Sequence, residues 1–358
     1  MALVGLLAVT ACGSDNPTGT SNSSNSGANS SVSGTLSGIG ASSQQAAITA
    51  WESGFASQYP DATVQYSPDG SGAGREALLA GAAQFAGSDA HLKDEEYKTS
   101  QEVCGPDGAI NIPVYISPIA VAFNLPGIES INLDAPTIAK IFKGEISQWN
   151  DQEISKQNEG VDLPDTKITV VHRSDDSGTT ENFTEYLEAA SDGVWDKEAD
   201  GDWPSAYAAE SNKGTSGVVS TTKSTEGAIT YADASATGDL GQVKVKVADE
   251  YVELSPEAAA KTVEISKRIE GQHADDMSID INRTPEDASA YPIVLVSYHI
   301  VCSAYDSQQT VDLVKAYEGY VISEQGQQDA AGAASSAPLT ASLREDAQKA
   351  IDAIGVKE

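Results

Sequence analysis

From residue 34 onward, short β-branched runs alternate with stretches of helical periodicity, and this alternation limits the fold more than any other feature. TLSGIG (35–40) predicts a strand, and Ala47, Trp51 and Phe55 then recur at the i, i+4 spacing of one apolar helix face. TVQYS (63–67) predicts a strand, 75–83 a helix and 84–88 a short strand, followed by a polar helix near 93–100. Two apolar β runs follow at 109–117 and 118–125, then a helix over 136–143. KITVVHR (167–173) predicts a strand and Thr179–Ala190 a helix. Strands are expected at 227–233 and 243–247, and an amphipathic helix at 255–270. YPIVLVSYHIV (291–301) is the strongest strand, and helices near 307–324 and 341–354 close the chain. Such alternation predicts α/β layers with largely parallel sheets. The long β runs near 110–125 and 291–301 are suited to pass between two lobes. The expected division is 34–117 with 292–358 as domain I and 118–291 as domain II.

Charge narrows the function. With 53 acidic against 21 basic residues in 358, the net charge is −32. Nucleic-acid binding needs clustered Lys and Arg facing phosphates, and an anionic membrane surface needs a basic patch; neither fits. No run of 18 apolar residues is present, so no spanning helix is expected. An extracytoplasmic binding protein and a secreted enzyme remain.

Residues 1–12, MALVGLLAVTAC, look like the end of a bacterial lipoprotein signal with Val9-Thr10-Ala11-Cys12 as the lipobox. Acylated Cys12 would supply anchoring that no later segment offers. Residues 1–11 carry no charge where such a signal opens with Lys or Arg, so the reading includes a truncated start. Of the 21 residues 13–33, 17 are Ser, Asn, Gly or Thr, the composition of a disordered tether. Cys104 and Cys302 flank β-rich runs and belong to no CxxC motif. In an exported chain they are expected to form a disulfide, with two buried thiols as the alternative.

Three Gly/Ser-rich turns fall between a strand and a helix: GIGASS (38–43), DGSGAG (69–74) and RSDDSGTT (173–180). A strand-to-helix turn leaves N–H groups without intrahelical partners at the positive end of the helix dipole. Glycine admits a ligand to the backbone and Ser or Thr adds hydroxyl donors. Converging on one cleft beside an Arg, such turns make an anion site; taken singly, each Ser is an ordinary helix N-cap. Other motifs fail. There is no GxGxxG, no GxxxxGK[ST] and no GxSxG elbow around Ser71 or Ser177. His91, His172, His273 and His299 are scattered, so no metal site is expected. His172 should point away from Arg173, into the core or an interface. Arg75 has no assigned role and reads as a surface ion pair.

GIGASS, DGSGAG, FAGSDAHL (85–92) and VVHRSDDSGTTENFTEYL (170–187) together resemble the phosphate-binding proteins of the Pst-type ABC transporter. VAFNLPGI (121–128), IFKGEISQWND (141–151) and YPIVLVSYHIV (291–301) extend the resemblance over about residues 34–355. The Cys pair, lipobox and Ser/Asn tether look most like actinobacterial lipoprotein members. The resemblance implies a two-lobed periplasmic-binding-protein-like fold of type II, with mixed sheets, flanking helices and the ligand in the inter-lobe cleft. It implies phosphate binding by the Ser42 hydroxyl, the Ser43 backbone, Ser71, Asp89, Arg173, Ser177, Gly178 and Thr179, with Asp175 steadying the Arg. The implied partners are inorganic phosphate and a membrane permease, the chain acting as a monomer without a cofactor, on the outer face of the cell membrane.

The chemistry is coherent in its own right. Arg173 offers a planar, permanently charged fork suited to phosphate oxygens. Asp89 fits because HPO₄²⁻ and H₂PO₄⁻ carry an O–H that needs an acceptor, whereas sulfate carries none. Two rivals stand beside this reading: a secreted hydrolase or phosphatase using Ser71 or Ser177, which lacks a base and a metal set, and a sulfate or molybdate receptor, which Asp89 disfavours.

Overall fold

The computed structural model describes residues 32–358. The signal at 1–12, Cys12 and the tether up to residue 31 lie outside the described residues; Val32 already packs against the core. The chain opens β1 (Gly34–Gly40), α1 (Gln45–Gln58), β2 (Ala62–Ser67), α2 (Ser71–Leu79), β3 (Phe85–Ser88) and α3 (Asp94–Val103). β4 (Ala109–Phe123), β5 (Ser130–Leu133), α4 (Ala135–Phe142), α5 (Gln152–Ser155), β6 (Thr169–Arg173) and α6 (Gly178–Ala190) follow. Next come β7 (Glu210–Asn212), α7 (Gly214–Ser224), β8 (Ala228–Asp233), α8 (Ala234–Thr237), β9 (Gly241–Val247) and β10 (Glu250–Val252). The last part holds α9 (Pro256–Glu264), β11 (Lys267–Arg268), β12 (Ile279–Asp280), β13 (Val294–Cys302) and β14 (Ala304–Tyr305). It closes with α10 (Gln308–Ile322), α11 (Glu324–Ala334), α12 (Ala341–Ala353) and β15 (Gly355–Val356).

One mixed sheet runs β2-β1-β3-β13-β4-β8-β6-β7, with β9 joining at β4 and carrying β5 and β10. The expectation of largely parallel sheets holds only towards the ends. β1 pairs parallel with β2 and β3, and β6 with β7 and β8. The centre, β3-β13-β4-β8, is antiparallel. β4 and β13 are buried at every position, which their near-continuous apolar runs require of strands covered on both faces.

The runs at 109–117 and 118–125 are one strand. β4 pairs with β13 as far as Pro118 and with β8 from Ile119, so the partner changes where proline removes a donor. Opposite Pro113, β13 shifts register between Ser297 and Tyr298, a bulge that absorbs the other missing N–H. Three helices differ from expectation. α2 starts at Ser71 rather than 75, because Gly70 (φ +112°) ends the preceding turn at once. α9 stops at Glu264, and Lys267–Arg268 pair with Ile279–Asp280 instead of continuing it. The stretch 307–324 breaks at Ser323, which ends α10 and caps α11 by accepting from the Gly326 N–H at 3.0 Å.

α1, α10 and α11 form an aromatic-rich layer. Phe55 meets Tyr317 edge-on at 5.3 Å, and Trp51 Nε1 donates to the Gly326 carbonyl at 2.7 Å. Cys104 and Cys302 are joined by a disulfide, Cα to Cα 4.5 Å, tying the end of α3 to the end of β13 across 198 residues.

Candidate functional site

The three turns, which follow the parallel strands β1, β2 and β6, meet beside the carboxy-terminal end of β3. Asp89, just past β3, is at their centre and is 3 % exposed. The Ser43 hydroxyl donates to both of its oxygens, at 2.8 and 2.7 Å, and the Thr179 hydroxyl donates to Oδ2 at 2.8 Å. Ser297, from β13, donates to Oδ1. The Asp89 N–H donates to Ser71 Oγ at 3.1 Å, and the Asp89 carbonyl accepts from Asn182 Nδ2 at 2.7 Å. Gly178 is the point of closest approach: a Cβ there would lie 2.8 Å from both Asp89 Cβ and Ser71 Oγ. Only glycine lets the start of α6 meet the other two turns.

The turns use their serines differently. Ser177 is an N-cap, its Oγ accepting from the Thr180 N–H at 3.3 Å. Ser71 is the first residue of α2 and caps nothing, while Gln44, not Ser42, stands at the N-cap of α1. Two of the three turns therefore keep hydroxyls that helix capping does not consume. Ser42 is bonded to α7 instead: its Oγ accepts from the Thr215 N–H at 3.0 Å and lies 3.1 Å from Thr215 Oγ1.

Arg173, at the end of β6 and 3 % exposed, turns its guanidinium onto Asp175. Nε donates to Asp175 Oδ1 at 2.8 Å and a terminal nitrogen donates to Oδ2. The Gly214 N–H adds a bond to Oδ1 at 3.0 Å. Burial alone would raise the Asp175 pKa, but the bonds and charge of Arg173 overcome it and hold the carboxyl below its ordinary value. Tyr231 braces the turn, accepting from the Arg173 N–H at 3.2 Å and lying 2.8 Å from Thr180 Oγ1. Burial pushes its phenol up to about 12, so it stays protonated at neutral pH.

Ser43, Ser71, Asp89, Gly178 and Thr179 are thus in direct contact, with Ser177 beside them and Ser42 and the Arg173–Asp175 pair joined through the start of α7. His172 is buried as expected, stacked on Trp203 with centroids 5.0 Å apart, and burial lowers its pKa. Arg75 is not a surface ion pair. It is 2 % exposed, with Nε donating to Glu96 at 2.9 Å and other nitrogens reaching Ser88 Oγ at 3.2 Å and Asp176 at 3.5 Å. The early start of α2 turns this position inward. Sequence reading passed over Thr215, Gln44 and Ser297. Thr215 carries a similar signature, Gly-Thr-Ser at the start of α7 just after β7, hidden because the strand ESN is polar. Gln44 and Ser297 have no local signature.

A family model described as a PBP superfamily domain matches residues 25–325. Phosphate-binding protein PstS 3 of Mycobacterium leprae is 38 % identical over 330 residues, 88 % of each chain. Phosphate-binding protein PstS 2 of Mycobacterium tuberculosis is 38 % identical over 331 residues, 87 % of this chain and 86 % of the relative. Among solved structures, the phosphate binding protein of Stenotrophomonas maltophilia superposes with a TM-score of 0.68 at 20 % identity, covering 88 % of this chain and 94 % of that one. The last likeness speaks for the fold, and the first three speak for descent: the chain belongs to the PstS phosphate-binding proteins of the PBP superfamily.

Proposed function

We propose that this chain is an extracytoplasmic receptor that binds inorganic phosphate and delivers it to the membrane permease of an ABC transporter. In this reading it is a monomer, held to the outer face of the cell membrane by lipid on Cys12 and carried on the tether 13–33. Residues 34–117 with 292–358 form one lobe and 118–291 the other, closing on the anion. The change of β4 partner at Pro118–Ile119 supports that division. Bonds between the two sets of residues, such as Thr179 to Asp89 and Thr215 to Ser42, support closure.

The observation that carries the reading is Asp89: a buried carboxylate among the hydroxyls of Ser43, Ser71 and Thr179. In an anion site an ionised carboxylate has a use only if the anion brings a proton. Phosphate does so at neutral pH; sulfate does not. Arg173, Ser42, Ser177 and the N–H groups of Ser43, Gly178 and Thr179 would serve the remaining oxygens. The hydrolase reading finds less support. Ser71 Oγ accepts a backbone N–H and Ser177 Oγ caps a helix, and among the described residues neither hydrogen-bonds a histidine.

The test is titration calorimetry with phosphate and sulfate on wild type and Asp89→Asn at one pH and ionic strength. Wild type is expected to bind phosphate and exclude sulfate, and the variant to lose much of that exclusion, since an amide both donates and accepts. No phosphate binding, or turnover of phosphomonoesters that Ser71→Ala or Ser177→Ala abolishes, would overturn the reading.

A further inference from the structure

Behind Asp89 a chain of buried side chains leads away from the turns to α10. Ser297 donates to Asp89 Oδ1, and Gln44 Nε2 lies 2.6 Å from Ser297 Oγ. Gln44 Oε1 lies 3.2 Å from His299 Nε2, and His299 Nδ1 lies 2.8 Å from Glu318 Oε2. Gln44, Ser297, His299 and Glu318 are all 0 % exposed. Aromatic rings wall the imidazole: Trp51 edge-on at 5.6 Å, Phe85 at 4.9 Å and Tyr317 stacked at 5.8 Å. Glu318 Oε1 has no partner among the described residues.

Elementary donor and acceptor rules fix the direction of this chain. Gln44 Nε2 also lies 3.2 Å from the Tyr298 carbonyl, which can only accept, so the amide nitrogen faces that side and the amide oxygen faces His299. An amide oxygen can only accept, so His299 Nε2 carries a proton. Ser297 Oγ receives the Gln44 N–H, and its single proton goes to Asp89. One more proton lies between His299 Nδ1 and Glu318 Oε2. Every donor from His299 onward therefore points toward Asp89, and neighbouring bonds polarise one another in the same sense.

We propose that Ser297, Gln44 and His299, backed by Glu318, are positioning residues that hold Asp89 as a one-way acceptor and so set the preference for a protonated over an unprotonated tetrahedral oxyanion. The Ser43 and Thr179 hydroxyls can turn their protons toward an incoming anion. Ser297 is more confined: Gln44 holds its oxygen, and the other acceptor within its proton's reach is the Ser88 carbonyl at 3.5 Å. Without the relay, the pocket can supply sulfate with donors at the place where phosphate needs an acceptor. The inference rests on the phosphate reading above.

Titration calorimetry on the full chain with phosphate and with sulfate tests it, using wild type, Ser297→Ala, Gln44→Met and Ser297→Thr. The two relay-breaking variants are expected to lower the phosphate-to-sulfate affinity ratio by about ten-fold, the scale of one hydrogen bond to a charged group. Ser297→Thr, which keeps the hydroxyl, is expected to keep the ratio. Nitrogen-15 NMR of wild-type His299 is expected to show a protonated Nε2. An unchanged ratio in folded Ser297→Ala or Gln44→Met, or an unprotonated Nε2, overturns the relay. Should neither variant fold, the His299 measurement decides. Wild type that binds no phosphate overturns the phosphate reading instead.

Discussion

Two buried carboxylates near the middle of the molecule are kept for different reasons. Asp89 is bonded by three hydroxyls at the meeting of the turns. Asp233, at the end of β8, accepts from the Ser235 N–H at 3.0 Å, from the Ser235 hydroxyl, and from Tyr115 at 3.0 Å. Those bonds do not offset its burial, which raises its pKa to about 6. The folded chain then holds a proton that the unfolded chain has released, so stability falls as pH rises from about 4 to about 6 and stays lowered above that. A carboxyl raised from about 4 to about 6 carries a penalty on the order of 3 kcal/mol at neutral pH. Asp233→Asn is expected to recover part of it at pH 7 and to flatten the pH dependence of urea unfolding between these limits. A variant less stable than wild type at pH 7 with the same pH profile would contradict this. The turns that carry Ser71, Arg173 and Thr179 were legible in the sequence by their Gly/Ser signatures, whereas Asp89 was placed by the resemblance of FAGSDAHL (85–92). Arg75 was misread, since its burial follows from where α2 begins. Ser297 lies over 200 positions from Asp89, and no local pattern announces that contact.

Elements were legible where apolar periodicity was strong, as in α1, α6 and β13, and obscure where tertiary contacts override composition. α7 is the clearest case. Its sequence GTSGVVSTTKS is poor in helix formers, yet Val218, Val219 and Thr222 are buried, and the Thr222 hydroxyl bonds back to the Val218 carbonyl at 2.9 Å. Packing, not propensity, makes that helix. β4 misled in the other direction, since it reads as two runs, 109–117 and 118–125, where the strand is continuous and only changes partner. The disulfide belongs at this scale too, because it joins α3 to β13, the strand that carries Ser297 and His299. Closing so long a loop restricts the unfolded chain, so Cys302→Ser is expected to cost about 2–5 kcal/mol in denaturant unfolding. Phosphate affinity should change little at temperatures where the variant is folded. A loss below about 1 kcal/mol, or two free thiols on wild-type Cys104 and Cys302 under denaturing, non-reducing conditions, would remove the bridge from the account.

At the scale of the whole molecule, a chain of net charge −32 is read as a receptor for an anion, and the two facts belong to different distances. Within the site, the donors are a buried guanidinium, hydroxyls and backbone N–H groups, effective over a few ångströms and shielded from salt by burial. Outside it, the summed field of the protein repels phosphate during approach, the reverse of electrostatic steering. The few cations near the turns do not reverse that field, since Lys213 is paired with Asp69 at 2.7 Å and Lys93 with Asp200 at 3.4 Å. Salt should therefore act on arrival and not on holding. Between roughly 10 and 150 mM ionic strength the screening length falls from about 30 to about 8 Å. The phosphate association rate constant, followed by stopped-flow tryptophan fluorescence, is expected to rise several-fold over that range. The dissociation rate constant is expected to change far less, because the side chains of Arg173 and Asp175 are 2 % and 10 % exposed and poorly screened. Affinity would then increase with salt, opposite to the trend for a basic anion-binding protein. An association rate that falls as salt is added would mean that a local positive funnel at the mouth of the site dominates the global charge. Neutralising Lys213 and Lys93 together should then abolish the fall.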